Sequence, residues 1–210
     1  MFFKICGLKS KESLFCCEEN NVDFFGMIFY EKSQRNITFN EAETLIKSSK
    51  KLKIKPVGVF VDHEIDDLKK IILSLGLKHI QLHGSEDQLY INEIKKQFNV
   101  KIIKKISINN SKDLDKIDKF KNIEYLLFDY KPNNNELPGG NSKSFDWNLL
   151  KGQKIKLPWF ISGGINETNI KKIQNLLKPD GIDLSSGVEV SKGIKSNSKI
   201  NDLFKKFYDN

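Results

Sequence analysis

The sequence predicts an α/β protein with a (β/α)8 fold, the TIM barrel, built as a single domain over residues 1–210. Short apolar segments alternate with helical or short connecting segments along the whole chain, and this alternation indicates parallel strand pairing. There are eight such units of about 26 residues each, which suits a compact barrel. The last two apolar segments each end in a glycine-bearing loop, where many such barrels bind phosphate.

The order of elements follows from the apolar pattern. The predicted strands are 2–6, 23–29, 56–61, 79–83, 101–106, 124–129, 158–162 and 181–184. Helical periodicity covers 11–20, 40–49, 65–75, 87–98, 167–177 and 199–207, and weaker helical patterns cover 112–118 and 145–150. A polar, glycine-containing loop at 133–142 follows the sixth strand, which would place it on the catalytic face.

Composition excludes several classes of protein. No apolar run reaches the roughly 18 residues of a membrane span, and the N-terminus has no signal peptide pattern, so we expect a cytoplasmic protein without a membrane partner. The net charge is +8, but the lysines are spread along the chain and interleaved with acids, so nucleic acid is not an expected partner. Cys6, Cys16 and Cys17 are predicted to be free thiols, and no spacing suggests a metal site.

Strand alternation places two proton-transfer groups at one end of the barrel. Lys4 and Cys6 would point inward from strand one, and Leu127 and Asp129 from strand six, with Cys6 and Asp129 at the carboxyl ends. Cys6 could be a general base, a nucleophile or a small buried apolar residue, and Lys4 would favour its thiolate. Asp129 could be a general acid with a pKa raised by apolar neighbours, or a cap for the next segment.

Two further side chains are candidates for binding. Arg35 is the single arginine among 35 basic residues, which suggests a need for its planar fork on a carboxylate or phosphate, although chance retention is the alternative. His83 ends strand four and would be a rim residue, either bonded to backbone or in contact with a ligand.

The two glycine-bearing loops form a candidate phosphate site. Ser162-Gly163-Gly164 follows strand seven, and Ser185-Ser186-Gly187 follows strand eight. Backbone amides in such loops attract anions, although each loop alone could be an ordinary turn. Asp183 faces inward beside them and could polarise a sugar hydroxyl or accept backbone amides of the loop.

Seven motifs in order give the chain a resemblance to the phosphoribosylanthranilate isomerase family of tryptophan biosynthesis. They are Lys4-Ile5-Cys6-Gly7, the loop from Phe29-Tyr30 to Arg35, Pro56-Val57-Gly58-Val59-Phe60-Val61, Gln81-Leu82-His83-Gly84, Phe145-Asp146-Trp147, Ser162-Gly163-Gly164-Ile165-Asn166, and Asp183-Leu184-Ser185-Ser186-Gly187-Val188-Glu189. Each motif is weak alone, but the ordered set runs from residue 4 to residue 189 and is highly specific.

The resemblance implies a TIM barrel that performs an Amadori rearrangement, the third step from chorismate to tryptophan, on a small phosphosugar without metal or cofactor. It implies Cys6 as general base, Asp129 as general acid and Arg35 as the partner of the substrate carboxylate. The family's phosphate-binding positions fall on Gly163, Gly164, Asp183, Ser185 and Ser186. The chain would act as a monomer or homodimer.

Some positions depart from the family pattern, and other functions compete. The loop Gly139-Gly140-Asn141-Ser142 differs from the family's Gly-Gly-Thr-Gly, Glu31 replaces a proline, and Tyr130 replaces a small hydroxyl residue. These departures concern the closure of the loop and the rate of turnover more than the assignment to the family. The alternatives are the histidine-pathway isomerase, a basic nucleic-acid-binding module, and a barrel that has lost activity. The histidine-pathway isomerase is similar to enzymes that use two aspartates for proton transfer, so Cys6 as the base argues against it.

Overall fold

A computed structural model describes residues 1–133, 135–141 and 143–209. Eight parallel strands form a closed barrel in sequence order, and helices or short 3-10 segments connect them on the outside. The predicted TIM barrel is therefore confirmed. The barrel strands are β1 Phe2–Cys6, β2 Phe24–Phe29, β3 Lys55–Phe60, β4 His79–Leu82, β5 Lys101–Ile108, β6 Tyr125–Tyr130, β7 Trp159–Ile161 and β8 Gly181–Leu184.

The outer layer contains α-helices and shorter 3-10 segments. The helices are α1 Lys11–Glu19, α2 Phe39–Ser49, α3 Ile65–Leu75, α4 Gln88–Gln97, α5 Ile170–Leu176 and α6 Asn197–Tyr208. Three 3-10 segments are Ser111–Lys119, Trp147–Leu150 and Ser186–Val188. A hairpin of two short strands, β9 Glu189–Ser191 and β10 Ile194–Lys195, follows β8 and is called the C-terminal hairpin below.

The predicted strands differ from the observed ones by at most two residues at either end, and the helices differ more. The two weaker helical patterns are 3-10 segments instead of α-helices. The predicted helix at 167–177 starts only at Ile170, because Asn166 and Asn169 use their side chains to close a turn before it. The C-terminal hairpin was not predicted, since strands of three and two residues leave too short a pattern.

Alternation along the strands separates an inner from an outer core. Phe3, Ile5, Leu126 and Phe128 belong to the large cluster between the barrel and its helices. The barrel interior is a smaller cluster, formed by Cys6, Phe24, Val57, Val59, Ile103, Leu127 and Phe160. The predicted facing of β1 and β6 is therefore confirmed, and the inside of the barrel is packed with apolar side chains.

Parallel pairing of β1 with β8 along their length closes the barrel. Lys4 on β1 pairs in register with Asp183 on β8, and their side chains form an ion pair of 2.8 Å inside the barrel. Among the described residues, no helix is both long and apolar enough to cross a membrane.

Candidate active site

One pocket at the carboxyl ends of the barrel strands brings together all the residues that the sequence predicted for the site. It holds about 850 Å³ of space, including the part open to solvent, and this is within the range of small-molecule sites. The predicted residues that line it are Cys6, Arg35, His83, Asp129, Gly163, Gly164, Asp183, Ser185 and Ser186. The apolar part of the wall is formed by Ile28, Val59, Val61 and Leu137.

Cys6 is the last residue of β1 and is almost fully buried at the base of the pocket. Gly26 on β2 lies beside it in the sheet, and a Cβ atom at Gly26 would be 2.8 Å from Cys6 Sγ. The missing side chain therefore leaves room for the thiol. Ser185 Oγ donates to the Cys6 carbonyl at 3.1 Å, which fixes the end of β1 against the loop after β8.

Burial and three charged groups determine the proton affinity of this thiol. Burial raises the pKa of Cys6 above its usual range, Lys4 and Lys195 act to lower it, and Asp183 raises it. The sequence predicted that Lys4 would favour the thiolate. Lys4 does oppose the effect of burial, but burial is the larger effect, so the resting side chain is the protonated thiol at neutral pH.

Asp129 stands at the carboxyl end of β6 with only 8% of its surface exposed. Its Oδ1 atom accepts a hydrogen bond of 2.8 Å from the Tyr130 backbone N–H. Burial raises the pKa of Asp129 to about 6, although Lys105 and that hydrogen bond act in the opposite direction. The shift has the predicted direction, and it leaves a minor fraction of the side chain protonated at neutral pH.

His83 stands beside Asp129 in the pocket wall. Its Nε2 atom is 3.6 Å from Asp129 Oδ2, slightly beyond a hydrogen bond, and its Nδ1 atom is 2.7 Å from Gln81 Nε2. Burial and the nearby Lys105 and Lys4 hold the pKa of His83 well below its ordinary value. A neutral imidazole that accepts from Gln81 at Nδ1 presents its Nε2–H toward the carboxyl group.

Arg35 lies at the other side of the mouth, where its fork is already occupied. Its Nε and Nη2 atoms donate to the two carboxylate oxygens of Glu189, each at 2.7 Å, and both side chains are buried. The sequence predicted that this fork would grip a substrate through two parallel bonds. Both N–H groups of Nη1 and the second N–H of Nη2 are left for that purpose, and Nη1 lies 3.4 Å from the carbonyl oxygen of Gly140.

Glu189 and Lys195 are parts of the site that the sequence interpretation missed. Lys195 Nζ donates to Glu189 Oε1 at 2.7 Å and to the Ser185 carbonyl at 3.1 Å. Burial acts to raise the pKa of Glu189, but its bonds to Arg35 and Lys195 prevail and lower it to about 2. Glu189 belonged to one of the seven motifs, whereas nothing in the sequence distinguishes Lys195 from the other lysines.

The two predicted phosphate loops lie against each other. A Cβ atom at Gly187 would overlap the carbonyl oxygen of Ile165, so the loop after β8 contacts the loop after β7 directly. Gly163 and Gly164 have φ angles of 92° and 66°, a conformation that favours glycine. Among the described residues, no backbone carbonyl accepts the N–H groups of these two glycines.

Asp183 lies in the same pocket, but its surroundings differ from those of a phosphate ligand. Its Oδ1 atom accepts from Lys4 Nζ at 2.8 Å, and both residues are buried. Burial raises the pKa of Asp183, and Lys4 acts in the opposite direction. The grouping of Asp183 with the phosphate-binding residues stays a prediction, and its ion pair with Lys4 also leaves it able to contact a sugar hydroxyl.

The loop after β6 covers one side of the pocket with residues 137–141. Lys105 Nζ, on β5, donates to the Pro138 carbonyl at 2.8 Å. A Cβ atom at Gly139 would overlap His83 Nε2, so the backbone lies directly on the imidazole. The segment Gly139-Gly140-Asn141-Ser142, which differs from the family pattern, belongs to this loop. Its last residue, Ser142, lies outside the described residues.

Metal and cofactor ligands were not expected. Within residues 1–133, 135–141 and 143–209, no group of three or more His, Cys, Asp or Glu side chains could hold a metal ion. The absence of a cofactor stays a prediction.

Comparisons with known proteins identify the family of the chain. The family model described as N-(5'phosphoribosyl)anthranilate (PRA) isomerase matches residues 3–206. An N-(5'-phosphoribosyl)anthranilate isomerase from Zymomonas mobilis is 39% identical over 199 residues, which cover 94% of this chain and 93% of that protein.

Solved structures of the same kind of enzyme superimpose on nearly the whole barrel. A phosphoribosyl anthranilate isomerase from Thermotoga maritima is 28% identical, with a TM-score of 0.87 and 98% of each chain covered. Another, solved in complex with reduced 1-(o-carboxyphenylamino)-1-deoxyribulose 5-phosphate, is 26% identical, with a TM-score of 0.84 over 98% of this chain and 97% of that chain. The chain therefore belongs to the N-(5'-phosphoribosyl)anthranilate isomerase family.

Proposed function

We propose that this protein converts N-(5-phosphoribosyl)anthranilate to 1-(2-carboxyphenylamino)-1-deoxyribulose 5-phosphate by an Amadori rearrangement, in the third step from chorismate to tryptophan. The observation that carries the proposal is that Cys6 and Asp129 line one pocket together with Arg35 and both glycine-bearing loops. A relative with 26% identity was solved with a reduced form of that product, which has a phosphate at one end and a carboxylate at the other.

The phosphate end of the substrate binds at the loops after β7 and β8. The N–H groups of Gly163 and Gly164 have no backbone acceptor among the described residues, so they are available for an anion. Ser185 and Ser186 line the pocket beside them. We assign Asp183 to the sugar hydroxyls, because a carboxyl group accepts hydrogen bonds from hydroxyl groups.

The aromatic end binds at the opposite side of the mouth. Glu189 accepts one N–H from Nε and one from Nη2 of Arg35, so the Nη1 end of the fork remains able to donate, and it points at the Gly140 carbonyl. A substrate carboxylate would replace that long contact with a shorter, charge-assisted bond. The apolar side chains Ile28 and Val59 provide a wall for the aromatic ring.

Two proton transfers complete the reaction between these anchors. Asp129 protonates the ring oxygen of the ribose, and the furanose opens to a protonated imine. The imine acidifies the hydrogen at sugar C2′, which the Cys6 thiolate removes to give an enolamine. The enolamine tautomerises to the ketone. Each transfer contributes roughly 10²–10⁴-fold to the rate, and the two anchors hold the substrate in position.

For this chemistry, Cys6 and Asp129 must hold one proton between them, and that proton must be on Asp129. The pKa of Asp129 is about 6 and that of Cys6 is raised by burial, so in the resting site the proton lies on the thiol. Only the minor form with protonated Asp129 and ionised Cys6 is competent. Groups that stabilise the thiolate increase this fraction and therefore the rate.

The proposal is tested by following the loss of phosphoribosylanthranilate fluorescence with the purified protein. Cys6→Ala and Asp129→Asn are each expected to reduce kcat by about 10²–10⁴-fold, since each removes one proton-transfer group. Cys16→Ala is the matched control, because that thiol lies on α1 and does not line the pocket.

No turnover by the wild-type protein would exclude the assigned reaction. Near-full activity of either variant, with unchanged circular dichroism, would exclude the role of that residue alone.

A further inference from the structure

Lys195 is a buried cation behind the pocket, where it contacts the pocket residue Ser185, and the proposed reaction gives it no task. Its side chain is 2% exposed. Its Nζ atom lies 2.7 Å from Glu189 Oε1, 3.1 Å from the Ser185 carbonyl and 3.4 Å from Ser185 Oγ. Ser185 Oγ in turn donates to the Cys6 carbonyl, so a chain of hydrogen bonds joins this lysine to the end of β1.

The two lysines that act on Cys6 differ in how fully their charges are paired with carboxylates. Lys4, from the same strand, is paired one-to-one with Asp183 of β8. Lys195, from the C-terminal hairpin, shares the single carboxylate of Glu189 with Arg35.

Asp183 therefore offsets part of the field of Lys4 at the thiol, although Lys4 has the larger effect of the two. The group of Arg35, Lys195 and Glu189 keeps one net positive charge, and Lys195 is the member that acts on Cys6. Inside a protein such a charge acts more strongly than in water.

We infer that Lys195 is a positioning residue for the general base: it holds Ser185 against the end of β1 and adds a second positive charge, besides that of Lys4, that favours the Cys6 thiolate. The inference deepens the proposed function, on which its catalytic meaning rests. Because the competent form of the site contains a thiolate, this charge increases its population.

Lys195→Met tests the inference by two measurements. The first is the rate at which iodoacetamide alkylates Cys6 as a function of pH, read by peptide mass spectrometry that separates Cys6 from Cys16 and Cys17. The second is the pH profile of kcat/KM. We expect the midpoint of alkylation to rise by about one pH unit and kcat/KM near neutrality to fall about tenfold.

Lys199→Met is the matched control. Lys199 Nζ donates to the Glu189 carbonyl at 2.7 Å, so it supports the same segment of chain, but it is not among the charges that act on Cys6. Its replacement is expected to leave the alkylation midpoint in place. Lys195→Arg keeps the charge, so its alkylation midpoint should lie close to that of the wild-type protein.

An unchanged alkylation midpoint in Lys195→Met, with only a lower melting temperature, would overturn the inference and leave the lysine a structural role. An equal shift in Lys199→Met would overturn it as well. The alkylation measurement does not require turnover, so a failure of the proposed reaction would be recognised separately.

Discussion

At the scale of single residues, burial shifts the pKa of both Asp129 and Cys6 upward, but from different starting values. The Asp129 carboxyl reaches about 6, whereas the Cys6 thiol starts near 9 and rises further. The charges of Lys4 and Asp183 act on both groups, and the proposed reaction moves protons at both, so we treat their apparent pKa values as those of the pair. The one-proton form of the pair therefore persists over a wide range of pH.

This separation predicts the pH profile of the enzyme. We expect kcat/KM to rise with pH through about 6, as the pair loses its first proton, and to stay level beyond pH 8. It should fall only above the usual range of a cysteine, when the second proton is lost. The measurement is kcat/KM between pH 5 and 10, as far as the fold survives. A maximum confined to pH 6 or below would contradict the assignment of Cys6 as the base.

The sequence predicted the facing of these side chains because a strand has a period of two. Lys4, Cys6 and Asp129 could be placed inside the barrel from their positions alone. The pairing of Arg35 with Glu189 could not, since 154 residues separate them and the sequence contains no sign that the fork was in use. Lys195 could not be singled out from the sequence, because nearly all of the basic residues in this chain are lysines.

At the scale of elements, the C-terminal hairpin connects both ends of the site. Its first residue, Glu189, holds Arg35, and its last residue, Lys195, holds Ser185. Gly193 has a φ of 89° at the turn, and a Cβ atom there would be 2.6 Å from the Gln34 carbonyl oxygen. The hairpin is therefore packed closely against the loop that carries Arg35.

The charge of Glu189 should contribute to stability in a way that depends on pH. Its pKa is lowered from 4.5 to about 2 in the folded protein, mainly through Arg35 and Lys195 against the effect of burial. This contribution is present above pH 4.5 and is lost as pH falls toward 2, and it is on the order of 3 kcal/mol. In Glu189→Gln it is absent at every pH, because the amide resembles the protonated acid.

We therefore expect the difference in unfolding free energy between wild type and Glu189→Gln to be largest near neutrality and to shrink below pH 4.5. Urea unfolding at a series of pH values measures it. Glu43→Gln is the control, since Glu43 forms an exposed pair with Lys47 on α2 and should change stability by about 0.5 kcal/mol or less. A difference that does not vary with pH would show that Glu189 acts by packing alone.

The elements themselves were predicted to different extents. Barrel strands have a continuous apolar run and clear ends, so their positions were nearly right. The connections after β5 and β6 are 3-10 segments whose helical pattern is weak, and the turn before α5 depends on asparagine side chains rather than on periodicity. A pattern of apolar residues cannot report such local bonds.

At the scale of the whole molecule, a barrel is stable only when its first and last strands pair. Four register pairs join β1 to β8, and one of them contains the buried ion pair of Lys4 and Asp183. The alternation of elements predicted that these strands would meet, because a (β/α)8 chain has to close. The alternation of residues also placed Lys4 and Asp183 inside these two strands, but it did not predict that their side chains would pair with each other.

Breaking this ion pair should destabilise the entire fold rather than one loop. In Lys4→Met the carboxylate of Asp183 stays buried without its partner, and we expect a loss of about 3–5 kcal/mol in unfolding free energy. Asp183→Asn should also be destabilising, because it leaves the ammonium group of Lys4 unpaired. The double variant should lose less than the sum of the two, with a coupling of about 0.5–3 kcal/mol.

Urea unfolding followed by both circular dichroism and tryptophan fluorescence measures this cycle. Because the pair lies where the barrel closes, the two signals should change together in every variant, as a cooperative transition requires. Additive losses would mean that the two charges do not stabilise one another. Signals that separate in Lys4→Met would mean that β1 and β8 can part while the rest of the barrel remains folded, so that closure and folding are distinct events in this chain.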